Sequence, residues 1–282
     1  MAISNIALTS AMRANLYSLQ KTTDLMGVTQ NRLSTGNKVN SALDDPMNYF
    51  AAQGHLQRAS DLAFRKDEMG EGIQTIKAGD AGIEAITDLI ASAKSIAQSA
   101  LSAETTTEIG SLESQFNELR NQIDDLADDS GYKGINLLGG DDQLLTVKFD
   151  ETGASSITVT GFDASTGTDG LAIAALVAGD WIDTDDAADL TAINTTISEL
   201  DAARTTLRSE AKTMASQLST ITIREDFTSK MINTLNDGAG KLTAADMNEE
   251  AANMLMLQTN QALGTTSLSL ASQAAQSVLR LF

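Results

Sequence analysis

His55 is the chain's one histidine, and the chain has no cysteine. A metal centre or a histidine-based catalytic unit needs partners of those kinds, so His55 reads as a packing residue. Paired acids at Asp124–Asp125, Asp128–Asp129, Asp141–Asp142 and Asp185–Asp186 carry charge enough for calcium. None lies in a loop of alternating acids with a central glycine and a distal glutamate, so they read as solvated turns. The 20 glycines include no GxxxxGK[ST] run and no strand–GxGxxG–helix context that would cradle a phosphate. Met12, Met26, Met247, Met254 and Met256 fall on helical faces, where methionine serves as adaptable packing. No catalytic, cofactor-binding or metal-ligating residue is assigned, and the expectation is a protein that is not an enzyme.

The elements that hold these residues are mostly helices. Met12, Leu19, Met26 and Leu33 recur every seven residues, with Leu16 between the first two, a coiled-coil seam over 2–35 that ends at Ser34–Thr35–Gly36–Asn37. Pro46 opens a second helix over 47–100, striped by Ile76, Ile83, Ile86 and Ile90. Its glycines at 70, 72, 79 and 82 imply close packing against neighbours. A third helix covers 104–129, with Ile109, Leu112, Phe116, Leu119, Ile123 and Leu126 on one face. LLTVKFD and SSITVTGF, separated around ETGAS, read as a β-hairpin. Residues 163–189, with the single Trp181, read as a short, irregular or partly helical cap. Helical periodicity resumes at Leu190 and is expected to stop at Asn236–Asp237–Gly238 before a last helix over 243–281. The fold class is therefore mainly α: long antiparallel helices in a coiled-coil rod, a small β-hairpin region, and paired N- and C-termini.

Charge sorts the chain in the same way. Residues 1–45 carry four basic and three acidic side chains, residues 241–282 two and three, so the net charge of −19 resides between them. Near-neutral, helix-patterned ends around an acidic body suit burial against each other or against copies of the chain. A pI near 4.2 argues against nucleic acid and against anionic membrane surfaces. No run of about 18 apolar residues is present, so no membrane span is expected. MAISNIALTSAMRANL lacks the basic start and continuous apolar core of a secretory signal. A single proline limits slow isomerisation in a chain that must refold after transport, although long helices exclude proline in any case.

Two stretches resemble bacterial flagellins. The segment 28-VTQNRLSTGNKVNSALDDPMNYFAAQ-53 is similar to that family's N-terminal signature, and 249-EEAANMLMLQTNQALGTTSLSLASQAAQSVLRLF-282 to its C-terminal one. The block 131-GYKGINLLGG-140 resembles the family's segment after the third helix, and the context of Pro46 and of Leu281–Phe282 is closest to short alphaproteobacterial flagellins. The resemblance implies a lumen-lining terminal coiled coil from 1–43 and 241–282, a helical rod from 44–139 and 190–240, and a reduced variable outer region over 140–189. It implies unfolded export by the flagellar type III apparatus, terminal segments that order on assembly, and a secreted, extracellular filament for motility. Self is the main partner, with the flagellar cap, hook-junction proteins and an export chaperone. A hook–filament junction protein, or an intracellular coiled-coil scaffold of a different class, are the alternatives.

The assembly interface is then expected on Met12, Leu16, Leu19, Met26, Leu33, Leu255, Leu263, Leu270, Val278, Leu281 and Phe282. Arg32, Asp44 and Asp45 border the junction where the resemblance places a contact between subunits; helix capping and loop solvation are the other reading of the three. Ser92, Lys94 and Gln115 stand near positions where receptor-detected flagellins carry a charged arginine motif and a facing glutamate, which implies weak or no activation of the vertebrate innate receptor. Exposed Ser and Thr over 152–168 are candidate O-glycan sites.

Overall fold

The computed structural model describes residues 10–185 and 187–279, without the side chains of Ala275, Val278 and Leu279. In chain order the elements are α1 (Ser10–Thr35), α2 (Pro46–Ala100), α3 (Thr106–Asp129), β1 (Leu144–Lys148), β2 (Ser156–Thr160), α4 (Leu190–Thr243) and α5 (Met247–Leu279). The fold is mainly α with one small antiparallel hairpin. Two compact units divide it: Met1–Ala59 with Asn233–Phe282, and Ser60–Ile232. Helices α2 and α4 each run from one unit into the other.

In the Ser60–Ile232 unit the seam of α2 recurs every seven residues as Leu62, Met69, Ile76, Ile83, Ile90 and Ala97, all buried. Helix α4 supplies Ile193, Leu200, Leu207, Met214 and Ile221 at the same period, and α3 supplies Ile109, Phe116 and Ile123. A seven-residue repeat keeps one stripe facing its partner along the whole contact. The second row of the α2 seam begins with two glycines. A Cβ on Gly72 would stand 2.6 Å from Val147 Cγ2, and one on Gly79 would stand 3.4 Å from Met214 Sδ. The missing side chains therefore let β1 and α4 close onto the helix backbone. Gly79 lies opposite Met214 and Lys94 pairs with Asp201 at 2.6 Å, so α2 and α4 run antiparallel.

The hairpin pairs Leu144 with Thr160 through Lys148 with Ser156, and turns Leu145, Val147 and Val159 inward. After it, residues 161–185 and 187–189 form neither helix nor named strand but a strap along α3. Glu113, Asn117, Arg120 and Asp124 fall on one side of α3, spaced four, three and four apart. Glu113 accepts the Trp181 N–H at 2.7 Å and the Gly179 N–H at 2.9 Å. Asn117 exchanges two bonds with the Leu176 backbone at 2.8 and 3.0 Å. Arg120 Nε donates to the Ile173 carbonyl at 3.1 Å, and Asp124 accepts from the Thr166 N–H at 2.6 Å. A segment without secondary structure thus satisfies much of its backbone through α3 side chains, with Glu199 of α4 accepting the Ala174 N–H at 3.2 Å and bonds within the strap adding to them. Trp181, wholly buried, packs on Phe116 with centroids 5.3 Å apart and donates from Nε1 to Thr196 Oγ1 at 3.3 Å.

Four expectations change. Helix α4 does not stop at Asn236–Asp237–Gly238 but continues to Thr243, because its buried row extends through Thr228, Leu235 and Ala239. Gly238 sits beside His55, with Cδ2 3.8 Å from a Cβ built there, so packing outweighs the ~1 kcal/mol propensity cost of a helical glycine. Leu190, expected on the buried stripe, is exposed at the helix start. Of the α2 glycines at 70, 72, 79 and 82, Gly70 touches nothing, and neither does Gly54 earlier in the helix. The acids do not all face solvent: Glu113 is buried and Asp124 holds the strap. The start of the expected first helix, at 2–9, and Asp186 lie outside the described residues.

Gly70→Ala is expected to raise stability by about 0.5–1 kcal/mol, the propensity gain at an open helical site. Gly82→Ala is expected to lower it by about 1–3 kcal/mol, because its Cβ would fall 2.6 Å from Leu138 Cδ1. Urea unfolding followed by Trp181 fluorescence measures both, and equal shifts of the two variants would refute the packing account.

Candidate self-assembly interface

The Met1–Ala59/Asn233–Phe282 unit is built on the pairing of α1 with α5. The α1 seam is Met12, Asn15, Leu19, Thr22, Met26, Thr29 and Leu33, each buried or half-buried, alternating by three and four. Helix α5 faces it with Glu250, Met254, Leu257, Gln261, Gly264, Leu268 and Ala271. Gly264 admits Leu19 to the α5 backbone: a Cβ there would stand 3.0 Å from Leu19 Cγ. Asn15 Nδ2 donates to Ser267 Oγ at 3.1 Å, and Arg32 pairs with the buried Glu250 at 2.9 Å. Residue 15 opposite 267, 19 opposite 264 and 32 opposite 250 define an antiparallel pair.

Backbone contacts close the junction beyond the seam. Gly36, at φ +73°, ends α1 by donating its N–H to the Arg32 carbonyl at 2.8 Å, a left-handed cap that glycine adopts without strain. Lys38 N–H then donates to the Thr243 carbonyl at 2.8 Å, and Ala245 N–H to the Gly36 carbonyl at 2.9 Å. Asp246 starts α5 by accepting the Asn248 N–H at 2.9 Å, with Glu249 and Glu250 in the favourable first turn.

Asp45 caps α2, accepting the Asn48 N–H at 3.1 Å with Pro46 at the first helical position. Asp44 clamps the connector, accepting from the Asn40 N–H at 3.0 Å, the Ser41 N–H at 2.9 Å and the Ser41 hydroxyl at 3.1 Å. These bonds, the Asn40 amide foremost, hold the Asp44 carboxyl below its ordinary pKa; the Asn48 amide does the same for Asp45. Arg32 is drawn to Glu250, so the three polar junction residues do not form one cluster.

Beyond the seam both helices keep apolar side chains. Leu16, Tyr17, Leu25 and Val28 are exposed on α1. Leu255, Leu263 and Leu270 are 67%, 63% and 61% exposed on the side of α5 away from α1. After Glu250, no residue of α5 is charged.

Residues 3–143 match the family model for the bacterial flagellin N-terminal helical region, and residues 190–282 match that for the C-terminal helical region. The chain belongs to the flagellin family. Flagellin FljM of Caulobacter vibrioides is 29% identical to this flagellin over 100% of both chains. The flagellin of Brucella melitensis is 28% identical over 99% of each. A crystal structure of Bacillus cereus flagellin overlaps with a TM-score of 0.45 and 18% identity, covering 57% of this chain and 88% of that one.

The expected interface residues of this flagellin therefore fall into two sets. Met12, Leu19, Met26 and Leu33 are spent in the α1–α5 seam, whereas Leu16, Leu255, Leu263 and Leu270 point away from it. The Val278 side chain, Leu281 and Phe282 lie outside the described residues. The α5 half of the seam was not anticipated, because Gln261, Gly264 and Ala271 carry no hydrophobic signal; the three/four spacing from Glu250 to Ala271 is what reveals it.

With its pKa lowered on folding, Asp44 stabilises the connector fully above its unfolded value of ~3.9, and this contribution disappears as pH falls through the lowered folded value. Carboxyl NMR is expected to place the Asp44 midpoint below that of a free aspartate, with the Asn40 and Ser41 amides exchanging faster once it protonates. A midpoint at or above the ordinary value would contradict the clamp.

Proposed function

We propose that this flagellin, a structural subunit of the bacterial flagellar filament, polymerises through the apolar faces that the α1–α5 pair leaves uncovered. One observation carries the reading: from residue 251 onward α5 has no charge, and it presents leucines both toward α1 and away from it. A helix apolar on opposite sides belongs in an interior, and one partner helix covers only one side. Neighbouring subunits supply the remaining cover, at about 25 cal/mol per Å² of apolar surface buried. Contacts between unlike surfaces extend into a filament where their rotation does not close a ring.

In this reading the paired termini line the filament's lumen, and Leu16, Leu255, Leu263, Leu270, Val278, Leu281 and Phe282 meet other subunits. The chain leaves the cell unfolded through the flagellar type III apparatus, attended by an export chaperone, and adds beneath the cap on a base of hook-junction proteins. The acidic segment between the near-neutral ends, which carries the net charge of −19, keeps unassembled chains soluble.

A chain ending at residue 242 is expected to keep Trp181 buried and to form no filaments. Leu255→Asp, Leu263→Asp and Leu270→Asp are each expected to retain wild-type helicity and unfolding midpoint while losing polymerisation. Electron microscopy and sedimentation after seeding test this; filaments of normal length from the truncated chain would end the assignment. Lys94, engaged with Asp201, and the uncharged Ser92 and Gln115 support weak innate-receptor activation. A reporter-cell assay with purified monomer is expected to give little signal, and a full-strength response would overturn that expectation.

A further inference from the structure

Leu43 is 96% exposed, more than any other large apolar side chain among the described residues. Its turn is internally bonded. Asp44 holds Asn40 and Ser41 as above, Asp44 N–H donates to the Ser41 carbonyl at 3.1 Å, and Leu43 N–H donates to Ser41 Oγ at 3.3 Å. Residues 40–43, Asn-Ser-Ala-Leu, carry no charge. The same unit contains a cavity of about 320 Å³ walled by Val39, Tyr49, Ala52, Leu56, Ala239 and Gly240. Its other lining side chains are Asn, Gln and Thr, so it too is uncharged.

We propose that Leu43 of one subunit inserts into this cavity on a neighbouring copy, a contact that rests on the self-assembly reading and specifies one of its joints. Leu43 does not fill the cavity of its own chain, since almost its whole surface is open. Knob and hole are different surfaces, so the contact is head-to-tail, and it repeats along a filament where its rotation does not close a ring. Copies with a net charge of −19 repel one another, and a leucine entering an uncharged cavity adds nothing to that repulsion, although Asp44 and Asp45 border the knob. Asp44 keeps the knob presented, so little ordering remains to be done on docking.

The chain has no native cysteine, so Leu43→Cys with Gly240→Cys introduces the only thiol pair. Oxidised filaments of this double variant are expected to give a ladder of covalent oligomers on a non-reducing gel, and filaments of either single variant are not. Filaments without a ladder, or a purely intrachain product, would refute the insertion. Leu43→Ala removes the knob. Gly240→Leu is expected to fill the hole, since a Cβ there meets nothing within 4 Å. Leu43→Ala is expected to keep the monomer's unfolding midpoint and Gly240→Leu to keep or raise it, as at Gly70; both are expected to raise the concentration needed for elongation about tenfold, from the lost burial of one leucine per contact. Normal elongation by both, alongside failure of the Leu263→Asp chain, would remove this contact and leave the assembly reading standing. A wild-type chain that never polymerises would remove both.

Discussion

The terminal pair depends on the backbone bonds that tie residues 36–38 to 243–245. A heptad seam built of methionine, leucine and small polar residues fits nearly as well after a slip of seven. The Lys38–Thr243 and Ala245–Gly36 bonds remove that freedom. With them in place Leu19 meets the one glycine of α5, Asn15 meets Ser267, and Arg32 reaches Glu250. Gly36 makes the junction possible by turning the chain out of α1 through a left-handed conformation, and Asp44 and Asp45 redirect it into α2.

The two units are stabilised unequally. The Ser60–Ile232 unit encloses a continuous core from Met69 to Ile221 and satisfies its irregular segment with side-chain hydrogen bonds. Among the described residues the terminal pair buries only Met12 and Thr29 of α1, and Glu250 and Leu257 of α5, to a comparable degree. Two long helices ordered around so little interior gain little over their conformational entropy on their own. A subunit firm in one part and thinly covered in the other suits the flagellin family, whose members polymerise.

Helices, hairpin and terminal pairing were legible in the residue pattern because each rests on a period: seven for α1, three and four for α3, two for the strands. The flagellin signatures were legible as well, in residues 28–53 and 249–282. What failed was local chemistry overruled by packing. Asn236–Asp237–Gly238 has the composition of a stop, yet Leu235 and Ala239 on either side are buried. The strap was illegible because its partners, Glu113, Asn117, Arg120 and Asp124, look like any solvated helical face. Only contact with a distant segment distinguishes them. The leucines of α5 were expected at the interface, but the pattern did not separate the seam from the outward face.

The strap also constrains how such a chain can vary in length. Its anchors at Thr166, Ile173, Leu176 and Trp181 meet α3 in order, each at a fixed distance along the helix. A residue gained or lost between them would throw every later anchor out of step and leave Glu113 buried with nothing to bind. The hairpin tip is instead closed by its own bonds, with Asp150 accepting the Ser155 N–H at 3.0 Å. The 166–181 interval thus behaves as a ruler whose length is set by the spacing of its four anchors on α3.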